Sequence, residues 1–264
     1  MKQTTKKILL ISLAVSLFAS LTIWYFFPML KGQMFIYTRG SLKGYLNVHP
    51  TYIKELPKPP ATWDNISIDA LVVKLPISKF NKISGREDYI SFASDQGVLD
   101  FVSLVPSKEL LKTLKERNLK YPLLSFQEKL MVLKVLPGDL SFFNSRDRNK
   151  EITANLINKA SLFAPDHFGE LFIVSTDMLK AICLISENGK NGYNAVVDLY
   201  SPNEAAFVEM ALFWYKERTA LKSDLLSILG GLTMPNQPLQ AERVKDGISA
   251  IVNKFSKTKK ERSS

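Results

Sequence analysis

The feature that most constrains this chain is the run from residue 8 to residue 30, ILLISLAVSLFASLTIWYFFPML. Its 23 residues carry no charge, and its small polar residues are three Ser and one Thr. At about 1.5 Å of rise per residue, a helix of this length can cross a hydrocarbon core about 30 Å thick. Lys6 and Lys7 stand before the run, and Trp24 and Tyr25 lie near its far end. Basic and aromatic residues favour these flanking positions at a membrane interface. The four are therefore membrane-interface candidates, and the lipid bilayer is the expected partner of residues 8–30.

Two other readings compete with an uncleaved signal anchor. A cleaved signal peptide needs small residues two positions apart before the cut. Here Leu17 precedes Ala19 and Phe18 precedes Ser20, so both sites are poor, and the apolar run continues beyond them. The remaining reading is a buried helix of a soluble protein. Orientation follows the placement of cations. Lys2, Lys6, Lys7 and the α-amino group lie before the run, and Lys31, Arg39 and Lys43 after it. The difference is about one charge. Together with the short N-terminus, it favours a cytoplasmic N-terminus and an extracytoplasmic body.

The net charge of +10 must be divided before it is interpreted. Residues 1–7 hold three lysines and no acid, and the tail 254–264 holds five basic residues against Glu261. The body between keeps only a small excess, with no dense basic stripe, so a nucleic-acid partner is not expected. One cysteine, Cys183, excludes an intrachain disulfide framework and any multi-cysteine metal site. His49 and His167 are the only histidines, which leaves little material for a histidine metal centre.

Beyond the anchor, Pro50, Pro57, Pro59 and Pro60 make residues 31–65 read as a Pro-rich stalk. A globular domain is expected over 66–253, and a basic tail over 254–264. Residues 66–75, 89–94 and 98–104 carry strand composition, and Ser94-Asp95-Gln96-Gly97 gives a hairpin signal. Ser107 can cap a helix, and Ser125-Phe126-Gln127-Glu128 has the spacing of a capping box. That second helix should stop at Pro137-Gly138. Ile152, Leu156, Ala160 and Phe163 then mark one face of another helix. A second strand group is expected over 171–175, 179–186 and 193–200, with a hairpin loop at 187–192. Ser201-Pro202-Asn203-Glu204 reads as a helix start, followed by an apolar packing helix through Tyr215. A short helix over 221–229 should end at Gly230-Gly231. Val244, Ile248, Ile251 and Phe255 mark a last amphipathic face. This order of strands, helices, strands and helices predicts an α+β fold, with a mostly antiparallel sheet packed with helices.

Chemical signals are sparse. Asp166-His167-Phe168-Gly169-Glu170 is the one place where a histidine lies beside acids. Cys183 sits in an apolar strand pattern, where a thiol behaves as a small hydrophobe. His167, Asp166 and Cys183 are thus the only catalytic candidates, all weak. No phosphate-binding glycine motif and no G-x-S-x-G elbow occurs. No cofactor or metal is expected. Asn65-Ile66-Ser67 matches a glycosylation triplet, which matters only in a eukaryotic secretory lumen. The leading expectation is a membrane-anchored, non-enzymatic binding or assembly module with an unidentified protein partner. A tethered hydrolase using an unmarked serine or the Asp166/His167 region, and a small-ligand-binding domain, are the alternatives.

Overall fold

The computed structural model describes residues 2–118, 123–162, 167–189 and 192–263. Side chains are described from residue 11 to residue 257 within those segments, residues 108 and 167 excepted. The elements are α1 (Lys2–Thr38), α2 (Lys43–Leu46), β1 (Thr51–Ile53), β2 (Asp64–Ile68), β3 (Leu71–Leu75), β4 (Lys82–Arg86), β5 (Tyr89–Ala93), β6 (Val98–Val102), α3 (Lys108–Glu116), α4 (Phe126–Lys134), α5 (Arg146–Leu162), β7 (His167–Ser175), β8 (Lys180–Glu187), β9 (Tyr193–Tyr200), β10 (Phe207–Tyr215), α6 (Arg218–Gly230) and α7 (Ala241–Ser263). The fold is α+β, as the sequence order predicts. Two compact units divide the chain: Met1–His49 with Met131–Ala164, and Pro50–Leu130 with Pro165–Ser264.

The first unit is built on α1. This helix passes through Pro28, which has no N–H to offer the Trp24 carbonyl one turn back. Arg146 of α5 fills that vacancy, its Nε donating to the Trp24 carbonyl at 3.2 Å. The Pro28 carbonyl accepts from the Thr153 hydroxyl at 2.8 Å. Gly32 completes the approach, because a Cβ there would come within 2.6 Å of Thr153 Oγ1. Met29, Leu46, Leu140, Ile152 and Leu156 form the small apolar core of this unit. Beneath it, Lys159 is fully buried, and its Nζ donates to the carbonyls of Leu46, Val48 and Val135 at 3.0–3.2 Å. Burial draws the Lys159 amine down to about 8, while the charge of Asp139 pulls it the other way.

The second unit holds an eight-stranded sheet in the order β1-β7-β8-β9-β10-β6-β5-β4, and a separate β2-β3 pair. Every pairing in the large sheet is antiparallel except that of β1 with β7. One sheet face supplies Phe92, Phe101, Phe172, Cys183, Val197 and Met210 to a continuous core. Leu221, Leu225 and Ile228 of α6 and Val244 and Ile248 of α7 pack into the same core. Asp198 alternates with core residues Val197 and Leu199, so it faces the other side, where Lys129 Nζ meets its Oδ2 at 2.6 Å. Nearby, Lys180 pairs with Glu204 at 2.9 Å, and Glu204 also accepts from the Phe126 backbone N–H. These two ion pairs fix the first turn of α4 on the sheet.

Local signals recur as expected in several places. Ser107 Oγ accepts from the Leu110 N–H at 3.1 Å. The 125–128 box closes in both directions, with Glu128 Oε2 accepting from the Ser125 N–H and Ser125 Oγ from the Glu128 N–H. Gly192, at φ +94°, closes the β8–β9 hairpin, its carbonyl accepting from the Asn188 N–H.

Three expectations are corrected. Residues 207–215 form β10, not a helix. This strand lies between β9 and β6, with Val208, Met210, Ala211 and Leu212 buried, so its apolar residues do not alternate. A strand buried on both faces and a buried helix share that pattern. The presumed cap is a tight loop, in which Ser201 Oγ accepts from the Ala206 N–H and Glu204 stands at φ +60°. Residues 31–65 are not a free stalk. α1 continues to Thr38, α2 buries Tyr45 and Leu46, and β1 pairs with β7. Finally, residues 131–164 belong with the N-terminal unit rather than with a single body spanning 66–253. Of the face expected on α5, Ile152 and Leu156 are buried and Ala160 packs beside them, with α1 as the burying partner, while Phe163 lies outside the described residues.

Candidate functional site

A cleft of about 660 Å³ opens in the second unit under α7. β2 contributes Asp64, Asn65, Ile66 and Ser67, the turn after β3 contributes Ile77, Ser78, Phe80 and Asn81, and β4 contributes Ile83. Gly247, Ala250, Ile251, Lys254 and Phe255 of α7 form the roof. The arrangement follows from topology. β4 is the terminal strand of the large sheet, and β2 pairs only with β3. Each therefore has one edge with no strand partner among the described residues, and both strands touch α7. Gly247 lets α7 approach the β2 backbone, since a Cβ there would lie 3.4 Å from Ile68 Cα, and the small Ala250 is exposed on the cleft side. Val244 and Ile248 hold the preceding turns in the core.

The floor is apolar. Ile66 and Ile83 are buried, and Phe80 lies 5.3 Å from the ring of Phe92. The rim is polar, with Asp64, Asn65, Ser67, Asn81 and Lys254 exposed. Asn81 Nδ2 donates to Asp95 Oδ1 at 2.5 Å, which fixes one corner. An apolar floor with a few polar groups at the mouth, at a volume within about 300–1,000 Å³, has the character of a ligand-binding cleft. Its mouth holds a carboxylate, amides, hydroxyls and an ammonium.

The weak catalytic candidates are not brought together by the described structure. Asp166 lies outside the described residues, and His167 begins β7 opposite Glu187 with its side chain outside the description. Cys183 is buried in the middle of β8, between Phe172 and Val197, and burial followed by the charge of Asp198 pushes its thiol well up. A protonated, enclosed thiol is a core residue rather than a nucleophile. Glu170, three positions after His167 in the same strand, pairs with Arg218 at 3.1 Å and with Lys222. Burial raises the Glu170 carboxyl, but the two cations outweigh it and hold the group below the ordinary range. Among the described residues, no group of three or more His, Cys, Asp or Glu is placed to hold a metal ion.

At the membrane-facing candidates, Lys6 and Lys7 lie within α1 with side chains outside the description. Trp24 and Tyr25 are exposed. The Arg146 guanidinium stacks 4.0 Å from the Trp24 ring centre, and the Tyr25 hydroxyl donates to the Asn144 carbonyl at 3.3 Å. The helix from Ile11 to Thr38 is long and apolar enough to cross a membrane. Its side chains from 11 to 21 are exposed throughout, whereas Pro28, Met29 and Gly32 are buried.

Sequence reasoning did not find the cleft. Asn65 and Ser67 were visible only as a glycosylation triplet, and Lys254 and Phe255 only as a helix end. Their convergence depends on α7 returning to strands more than 150 positions earlier, which no local pattern encodes. No family model, curated protein or solved structure matches the chain.

Proposed function

We propose that this chain is a single-pass, membrane-anchored binding module, with its N-terminus in the cytoplasm and its α+β body outside. The supporting observation is the pairing of an exposed, uncharged helical stretch at the N-terminus with a ready cleft under α7 in the folded body. The cleft takes an extended segment of a protein partner. Two open strand edges offer main-chain N–H and C=O groups, and the apolar floor offers pockets for alternate side chains, which is how strand addition achieves both affinity and selectivity. Assembly near the membrane, not chemistry on a substrate, is then the task of the body.

The test uses a photoactivatable residue at Ser78, on the cleft rim, in the membrane-embedded protein. A discrete protein adduct is expected, and Ala250→Trp, which fills the cleft from an exposed position of α7, should abolish it while leaving the circular dichroism unchanged. Adducts that survive Ala250→Trp would contradict the reading. The size and mixed lining of the cleft favour a second reading, a small amphipathic ligand. A small molecule retained through purification and displaced by Ala250→Trp would support that reading over the first.

A further inference from the structure

Where the exposed stretch of α1 ends, the first unit carries a feature that its own core does not use. Residues 141–144 form a tight turn, with the Asn144 N–H donating to the Ser141 carbonyl. Asn149, fully buried, clamps that turn from beneath. Its Oδ1 accepts from the Ser141 N–H and from Asn144 Nδ2, and its Nδ2 donates to the Ser141 carbonyl at 2.9 Å. Asn144 Nδ2 also reaches the Asp139 carbonyl at 2.8 Å. This network of polar bonds holds up two phenylalanines. Phe143 is 100% exposed and Phe142 59%. Phe142 stands edge-on to Phe26 of α1, with ring centres 5.3 Å apart.

A rigid turn that presents a wholly exposed aromatic ring is costly in water and favourable at a lipid boundary. The occupant is indicated by what lies beside it. Trp24 and Phe27 are exposed on the same stretch of α1, and with Ser20, Ile23 and Arg146 they line an open groove. Arg146 is pinned there by its Nε bond to the Trp24 carbonyl and by stacking on the Trp24 indole. Its Nη1 lies 3.8 Å from Oδ1 of the exposed Asp147, and with the side chain 29% exposed the fork keeps room for a phosphate oxygen.

Resting on the anchor reading above, we infer that the Phe142-Phe143 turn is a second membrane contact, inserted at the headgroup–acyl boundary beside Trp24, with Arg146 at the level of the lipid phosphates. The bilayer surface then lies near Trp24–Phe27. Beyond it, Pro28, Met29, Gly32, Phe35 and Ile36 of the same helix serve the protein's own packing instead of lipid. The N-terminal unit is thereby held at the membrane by two points, a spanning helix and a wedge.

Cys183 is buried, so Phe143→Cys gives a single reactive site for an environment-sensitive dye in the full-length chain. The chain is reconstituted into vesicles of phosphatidylcholine and phosphatidylglycerol containing no other protein. Aqueous iodide is expected to quench the dye about tenfold less than the free dye adduct, as for a side chain in the interface. Phe142→Ser in the labelled chain should raise quenching. A dye at 143 that is fully quenched, in a chain still retained by the vesicles, overturns the inference and leaves the anchor reading standing. Shielding that disappears when the chain is diluted in lipid identifies a second copy as the occupant and overturns it equally. Release of the chain from the vesicles removes the anchor reading and this inference with it.

Discussion

The two units solve the same problem with different interactions. In the sheet unit, stability is carried by one continuous apolar core that joins the sheet to α6, α7 and the β2–β3 pair. In the N-terminal unit, a smaller apolar cluster around Met29, Leu46, Leu140, Ile152 and Leu156 is joined by polar side chains bonded to backbone carbonyls: Arg146 on Trp24, Thr153 on Pro28, Lys159 on three carbonyls. The contrast has a physical reason. A helix whose residues 11–21 are all exposed has little apolar surface left for a core, while its proline and its termini leave carbonyls that need donors. A buried charged donor satisfies them at a desolvation cost, and removing it would leave the acceptors buried and unpaired. Hydrogen bonding thus substitutes here for the apolar area that holds the sheet unit.

The largest expected effect tests the sheet side of this contrast. Phe92 is fully buried against Phe80 and Phe101. Phe92→Ala should cost about 3–5 kcal/mol, read as a fall in the denaturant midpoint. A loss under about 1 kcal/mol would mean that this core relaxes freely and does not carry the unit.

Lys159→Met tests the other side, because it keeps the length and apolar stem while removing the ammonium. A cost of about 2–4 kcal/mol is expected from the stranded carbonyls. Neutral or stabilising behaviour would show that packing, not hydrogen bonding, holds the N-terminal unit. The pH dependence adds a sign. The folded amine titrates near 8, and an unfolded lysine near about 10.4. Between those values the unfolded chain binds the proton more firmly, so stability rises with pH. The wild type should gain relative to Lys159→Met as pH climbs from about 8 to 10.4.

Smaller effects refine the picture. Ser107→Ala removes the cap of α3 and should cost about 1 kcal/mol. Glu170→Gln weakens the half-exposed pairing with Arg218 and Lys222 and should cost about 0.5 kcal/mol at neutral pH. Because the folded carboxyl is held low, its contribution is present above the unfolded value of about 4.3 and is lost as pH falls through the folded one. Acid titration of the wild type and Glu170→Gln should therefore converge. Divergence at low pH would contradict the assignment.

The same division explains what could be read from the sequence. Caps and hairpins rest on short-range chemistry, so Ser107, Ser125-Glu128 and Gly192 are recognisable from a few residues. The antiparallel α+β architecture follows from element order. β10 was misread because a central strand loses the period-two pattern on which strand assignment depends. Residues 31–65 looked like a stalk because Pro50, Pro57, Pro59 and Pro60 dominate their composition, while the burial of Tyr45 and Leu46 depends on residues about 100 positions away. The cleft and the Phe142-Phe143 turn were equally hidden. Both are made of ordinary residues whose meaning comes from long-range neighbours.

The most direct test of the account is the fate of the uncharged run 8–30 in the cell's own membranes. Membranes carrying the full-length protein are washed in alkaline carbonate, and the N-terminus of the retained chain is determined. Retention in the pellet, with residues 8–30 still attached, is the result predicted for a spanning anchor. A mature N-terminus beyond residue 20, or release of the intact chain into the wash, would contradict it.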